Sequence, residues 1–318
     1  MNYSVLGKTG LKVSELSYGT LALGPLQNEI SPIEGGKLIR TALEAGVNFV
    51  DTAQMYEVYP HILEAFKGYT GDVILASRSM AESYEDMEKA IFEAMRELNL
   101  DYVDMFSLHA PRVSSNVFEV RAGAWECLQE YKQKGYVKAI GIATHSVKAV
   151  EVSAVREDVD IVFPIVNFKG MGIREGTLEE MLAASKLAYD NGKGLYAMKA
   201  LAGGSLIIDY EKALAYVREI PYFSAIALGM AQERELMTAL KVFNDQELSE
   251  VELDSLKADK SLCILPFCGR CGNCVEACPN DALSMAADKE ILIDTELCVL
   301  CGYCVPTCSQ FAMRLRND

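Results

Sequence analysis

DVILASRSMAESYEDMEKAIFEAMRELNLDYVDMFSLHA, residues 72–110, contains the unit from which most of this chain is built. It opens with a short apolar run, DVILASRS (72–79), and continues into EDMEKAIFEAMRELN, where apolar residues return at helical spacing as far as Asn99. It closes with a second apolar run, VDMFSLHA (103–110). Asn is a natural helix stop because its side chain tolerates the left-handed conformation. Strands that are apolar on both faces and separated by a helix belong to a parallel, doubly covered sheet.

The same alternation extends in both directions. Upstream lie LSYGTLAL (16–23) and NFVDTA (48–53); downstream lie AIGIATH (139–145), IVFPIVN (161–167), GLYAMKA (194–200) and SAIALGM (224–230). The stretch TLEEMLAASKLAYDNG is another helix, stopped at Gly192. Eight strands, each followed by a helix, predict an α/β fold, a (β/α)8 TIM barrel. Ahead of them, SVLGKTGLKV reads as a hairpin with a glycine-containing turn that plugs the bottom of the barrel. The acidic segment DQELSEVELDSLKADK (245–260) reads as a partly helical linker. The expected division is a barrel over 1–244, the linker, and a small cysteine-rich domain over 261–318.

Hydrophobic content of 50% with 24% charged residues is that of a soluble globular protein. A formal charge of −15 disfavours nucleic acid as a partner, and no stretch approaches the ~18 apolar residues of a membrane span. The first residues lack the apolar core of a secretory signal, so a reducing, cytoplasmic compartment is expected.

Nine of the ten cysteines lie between Cys263 and Cys308. Eight of them form two runs, Cys268-x2-Cys271-x2-Cys274-x3-Cys278-Pro279 and Cys298-x2-Cys301-x2-Cys304-x3-Cys308-Ser309. Zinc sites use four ligands in pairs, whereas each run here offers four thiolates, and soft sulfur ligands suit iron. The spacing resembles that of bacterial ferredoxins with two [4Fe–4S] clusters, an α+β ferredoxin-like domain in which the fourth cysteine of each run ligates the other cluster. The resemblance implies one cluster on Cys268, Cys271, Cys274 and Cys308, and the other on Cys298, Cys301, Cys304 and Cys278. Cys263 and Cys127 fall outside the pattern and read as packed thiols.

The segments LGKTGLKVS, GVNFVDTAQMY, LDYVDMFSLH, IGIATHS and MKALAGG give nearly all of residues 1–244 a resemblance to the aldo-keto reductases. In that family an Asp, a Tyr, a Lys and a His meet at the barrel mouth, where the Tyr protonates a carbonyl while a nicotinamide delivers hydride. The resemblance places these roles on Asp51, Tyr56 and His109, with Arg78 where the family has Lys. Arg is forked and stays charged, so it acts as a fixed charge and cannot join a proton relay. Asp51 and His109 both end apolar strand runs, where a polar group is costly unless it faces the mouth.

The resemblance also implies NAD(P)H, with Phe163, Asn167, Met198, Lys199, Gly229 and Arg234 as the cofactor positions. Phe163 replaces the family's Gln for the nicotinamide amide, and Thr238-Ala239 replaces its Glu-Asn for adenine. A [4Fe–4S] cluster moves one electron whereas nicotinamide moves two, so a flavin, with Phe163 and Met198 lining a flat ring pocket, is the alternative.

Together these readings predict an oxidoreductase with a small-molecule carbonyl or alcohol substrate and an electron-transfer protein partner. The competing reading is an electron-transfer or sensor protein in which the barrel only binds a ligand.

Overall fold

The computed structural model describes residues 1–318 except 205, 258–259, 279–280, 296, 299–303, 311 and 318. A hairpin of β1 (Tyr3–Val5) and β2 (Lys12–Ser14) comes first. Eight parallel strands then close a barrel: β3 (Leu16–Gly19), β4 (Phe49–Asp51), β5 (Ile74–Ser79), β6 (Val103–His109), β7 (Val137–Thr144), β8 (Ile161–Pro164), β9 (Gly194–Met198) and β10 (Ala225–Gly229). Each pairs with the next in sequence, and β10 pairs with β3. A helix follows every barrel strand, from Pro32–Glu44 after β3 to Glu233–Phe243 after β10.

Local chemistry sets many of these boundaries. The helix Tyr84–Leu98 is capped by Ser83, whose hydroxyl accepts from the Asp86 N–H, and it stops at Asn99 with φ of 53°. The helix Leu178–Asp190 starts at a reciprocal capping box between Thr177 and Glu180. Most strands are shorter than their apolar runs, and two show why. β3 ends at Gly19 because Thr20–Leu23 curls into a 3-10 turn, where the Thr20 hydroxyl donates to the Asp51 carbonyl. β8 ends at Pro164, which has no N–H for the ladder.

Leu6, Leu11 and Val13 of the hairpin pack into the barrel interior with Phe49, Met105 and Ile161, so the hairpin does plug the bottom. The turn needs glycine: Gly7 has φ of 55°, and a Cβ there would lie 2.3 Å from the Gly194 nitrogen. The segment after the barrel is no loose connector. It contains the helix Glu250–Lys257, whose Leu256 is buried in the barrel core.

The cysteine-rich module pairs β11 (Lys260–Ile264) antiparallel with β14 (Met313–Asn317), and β12 (Leu283–Met285) with β13 (Ile291–Ile293). Two short helices, Asn273–Glu276 and Cys304–Thr307, complete it. Among the described residues no helix is long and apolar enough to cross a membrane.

Candidate active site

Asp51 and His109 are the last residues of β4 and β6, Arg78 is the penultimate residue of β5, and Tyr56 ends a 3-10 turn just after β4. The strand ladder thereby carries all four to the C-terminal mouth, where such barrels place their chemistry. Arg78 grips Asp51 with two parallel bonds, Nη1 to Oδ1 at 2.7 Å and Nη2 to Oδ2 at 3.1 Å. Its Nη2 also reaches the Tyr56 hydroxyl at 2.8 Å, and the Tyr196 hydroxyl donates to Asp51 Oδ1 at 3.1 Å.

These contacts fix the direction of the bond between Arg78 and Tyr56. A guanidinium has no acceptor, so the Tyr56 oxygen must accept from Arg78. Among the described residues no acceptor takes the Tyr56 hydrogen, and Tyr56 lines the cavity above. His109 stands beside Tyr56, ring edge to face at 6.1 Å between centroids.

Charge is arranged to match. Burial by itself would lower the Arg78 pKa, but Asp51, Tyr56 and Tyr196 outweigh it and hold the guanidinium charged. Burial raises the Asp51 carboxyl against the pull of Arg78. His109 is pushed well below the ordinary histidine value by burial and then by Arg78, Arg121 and Lys199, so its imidazole is neutral. Its Nδ1 has no hydrogen-bond partner among the described residues.

The mouth opens into a cavity of about 490 Å3. Phe163, Met198, Lys199 and Gly229 line it, whereas Asn167 and Arg234 do not. Asn167 braces its own loop, accepting from the Met171 N–H and donating to the Met171 carbonyl. Arg234 lies in the first turn of the helix after β10. Phe163 does not present a free face, because its ring stacks on Tyr196 at 3.8 Å with 13° between planes, and the Arg78 guanidinium lies 5.1 Å from its centroid.

Among these positions Phe163 also covers the aromatic face of Tyr196, and Thr238 and Ala239 are buried within the barrel wall.

Sequence reasoning missed Tyr196, His145, Arg121 and Arg314, all of them buried here. Tyr196 was within reach of it: it stands two residues before Met198 on β9, and strand alternation puts both on one face. Arg121 donates to the His109 carbonyl at 2.9 Å. Arg314 belongs to β14 of the cysteine-rich module, yet it lines the barrel cavity with Leu265, Phe267, Gln310 and Arg316 of the same module. The module is thus the lid of the barrel.

Four cysteines from the two runs share one space. Cys268, Cys271, Cys274 and Cys308 line one small cavity, which combines three members of the first run with the last of the second. Backbone N–H groups of Arg270, Ala282 and Ala312 point at the sulfurs of Cys268, Cys278 and Cys308 at 3.2–3.4 Å. Cys304 is buried in the module core, Cys278 and Cys298 are half-buried, and Cys301 lies outside the described residues. Cys127 is fully buried, while Cys263 is only half-buried on β11, opposite Arg314.

A family model described as the 4Fe-4S dicluster domain matches residues 267–316. L-galactose dehydrogenase of Arabidopsis thaliana is 28% identical over 213 residues, 63% of this chain and 66% of that protein, just under two thirds of its length. An uncharacterized oxidoreductase of Bacillus subtilis, YqkF, is 22% identical over 301 residues, 80% of this chain and 94% of that one. The solved aldo-keto reductase of Bacillus halodurans in its holo form shares the fold, with a TM-score of 0.65 at 19% identity, covering 81% of this chain and 95% of that one. A family model for the aldo/keto reductases matches residues 15–255. The chain belongs to the aldo/keto reductase family and carries a 4Fe-4S dicluster domain beside the barrel.

Proposed function

We propose that this protein reduces a small carbonyl compound, or oxidises the matching alcohol, with electrons relayed through two [4Fe–4S] clusters. The observation that carries the reading is the orientation of the Tyr56 hydroxyl: its oxygen accepts from Arg78, which leaves the hydrogen facing the cavity. A carbonyl oxygen placed there meets an acid whose conjugate base is already hydrogen-bonded to a fixed cation. The neutral His109 imidazole supplies a second hydrogen bond to that oxygen and orients it. Asp51 holds Arg78 in place, and Tyr196 holds Asp51.

When bound, the clusters supply electrons one at a time; Cys268, Cys271, Cys274 and Cys308 would hold one, and Cys278, Cys298, Cys301 and Cys304 the other. Reduction of a carbonyl needs two electrons and two protons; Tyr56 delivers the proton to oxygen, and the hydrogen on carbon would come with the electron pair from a two-electron carrier such as a reduced nicotinamide or flavin. A Tyr56→Phe variant should lose turnover by about 100-fold or more, the range of general-acid catalysis, and keep its iron content. Full activity of that variant in a screen of aldehydes and ketones with reduced ferredoxin would refute the assignment.

The pairing of electrons still needs a carrier or a substrate that tolerates single-electron steps. A flavin at the mouth is one way to meet that need. Anaerobically purified protein should then release a flavin into its acid supernatant, seen as absorbance near the flavin bands; a colourless supernatant after reconstitution excludes it. The Phe163–Tyr196 stack also favours a second reading, in which the barrel binds a ligand with little chemistry of its own. Steady turnover in the same screen would exclude that reading.

A further inference from the structure

The β11–β14 ribbon of the cysteine-rich module has a different cavity on each face. Along β14, Met313 lines the small cysteine cavity, while Arg314 and Arg316 line the barrel mouth. Successive side chains of a strand point to opposite faces, so this division follows from the strand itself. At the end of β11 the same division falls between Ile264, in the cysteine cavity, and Leu265, in the mouth. The Leu265 N–H donates to the Ala312 carbonyl at 2.7 Å, and the Ala312 N–H points at the Cys308 sulfur at 3.2 Å. The backbone that closes the mouth thus ends on a sulfur of the cysteine cavity.

Gln310 spans the edge of this ribbon. It lines both cavities, and its amide lies against the turn that begins at Cys268. A Cβ at Gly269 would sit 2.3 Å from Gln310 Nε2, so glycine is needed there for the amide to enter. Phe267, which also lines the mouth, is joined directly to Cys268. Among the described lining residues of the mouth, those from the module lie at 265, 267, 310, 314 and 316, and none lies between Cys274 and Cys308.

We infer that the mouth is served by the cluster set of Cys268, Cys271, Cys274 and Cys308, and that Gln310 is the positioning residue that couples the two. The other set is then the remote one. The inference rests on the proposed relay reading for the flow of electrons, whereas the shared wall depends only on the fold. One sheet layer is about 10 Å thick, a distance that an electron crosses readily. Each transfer moves one electron: the near cluster is oxidised by one, a flavin or radical-tolerant ligand in the mouth is reduced by one, and an external donor of the ferredoxin class restores the cluster. Hydrogen bonding and solvent exposure at the sulfurs set the potential of such a cluster, and Gln310 governs both on the mouth side.

An EPR-monitored redox titration of the anaerobic, cluster-loaded protein with dithionite tests this. Gln310→Glu places a carboxylate in the wall and should make one cluster harder to reduce by about ten-fold, which is about 59 mV for one electron. Gln310→Leu removes the amide at similar size and should shift the same cluster downward. The shifted signal should be the one missing from Cys308→Ser. A nitroxide on the Cys263→Ser, Met80→Cys double variant reads the mouth from the barrel rim. Its relaxation should quicken when the clusters are reduced, and Cys308→Ser should remove most of that effect.

Unmoved potentials in both Gln310 variants would overturn the inference, as would an equal shift of both clusters or a shift confined to the cluster that Cys308→Ser retains. So would a nitroxide whose relaxation is indifferent to loss of the Cys308 cluster. If Cys308→Ser loses both clusters, Cys298→Ser takes its place, and the near signal is the one it keeps. Because these measurements need no turnover, a coupled near cluster in a protein that reduces no carbonyl would sink the reductase reading alone. Turnover with both Gln310 potentials unmoved would sink only the coupling.

Discussion

Replacing Arg78 with Met is expected to lower the unfolding midpoint by roughly 10 °C, because removing one partner of a buried ion pair costs roughly 3–5 kcal/mol. Arg78 and Asp51 are both buried, and Asp51 would keep only the Tyr196 hydroxyl as a partner. Turnover should fall with stability, since the Tyr56 oxygen loses the donor that orients it. Arg78→Lys is the informative companion. It restores a charge, but one ammonium cannot reproduce the fork that spans both Asp51 oxygens and the Tyr56 hydroxyl. Pairing Arg78→Met with Asp51→Asn should recover much of the lost stability, because the stranded charge goes with it. Scanning calorimetry of the four proteins decides the matter, and a midpoint for Arg78→Met within a degree or two of the parent would show that the pair is not a structural tie.

The second large effect belongs to Cys308. Cys308→Ser should reduce iron from about eight atoms per chain to about four, since the cross-over ligand serves the cluster of the first run. The damage should spread beyond the metal. The module core consists of Cys274, Leu283, Ile291, Cys304, Val305 and Met313 among its described buried residues, too little apolar surface to fold a small domain without staples. Limited proteolysis should then cut within 261–318 while the barrel survives, because the barrel has its own core and its own hairpin plug. Iron analysis and mass spectrometry of the fragments read both parts. Full iron content in the variant would contradict the cross-over set.

Much of this was legible in the sequence because it depends on period and spacing. Apolar runs such as VDMFSLHA fill both faces of a strand, and eight of them with helices between admit one closed parallel sheet. The tetrad positions came from the resemblance, and strand ends agree with it: Asp51, Arg78 and His109 come together once the strands are aligned. What stayed hidden depends on tertiary packing. Nothing in IVFPIVN tells that Phe163 will stack on Tyr196, because a phenyl ring in an apolar run reads as core wherever it points. Asn167, a cofactor position by resemblance, ties its own loop through Met171, a local bond that short polar side chains often make. Arg314 was the deepest omission. Its role comes from how the module docks on the barrel, which no local pattern encodes.

That docking leaves one partition between two compartments. Gln310 belongs to the wall of the cysteine cavity and to the wall of the barrel mouth. Whatever firms one compartment firms the other. A single side chain therefore belongs to two rooms at once, and a change of shape at Gln310 is felt on both sides of it.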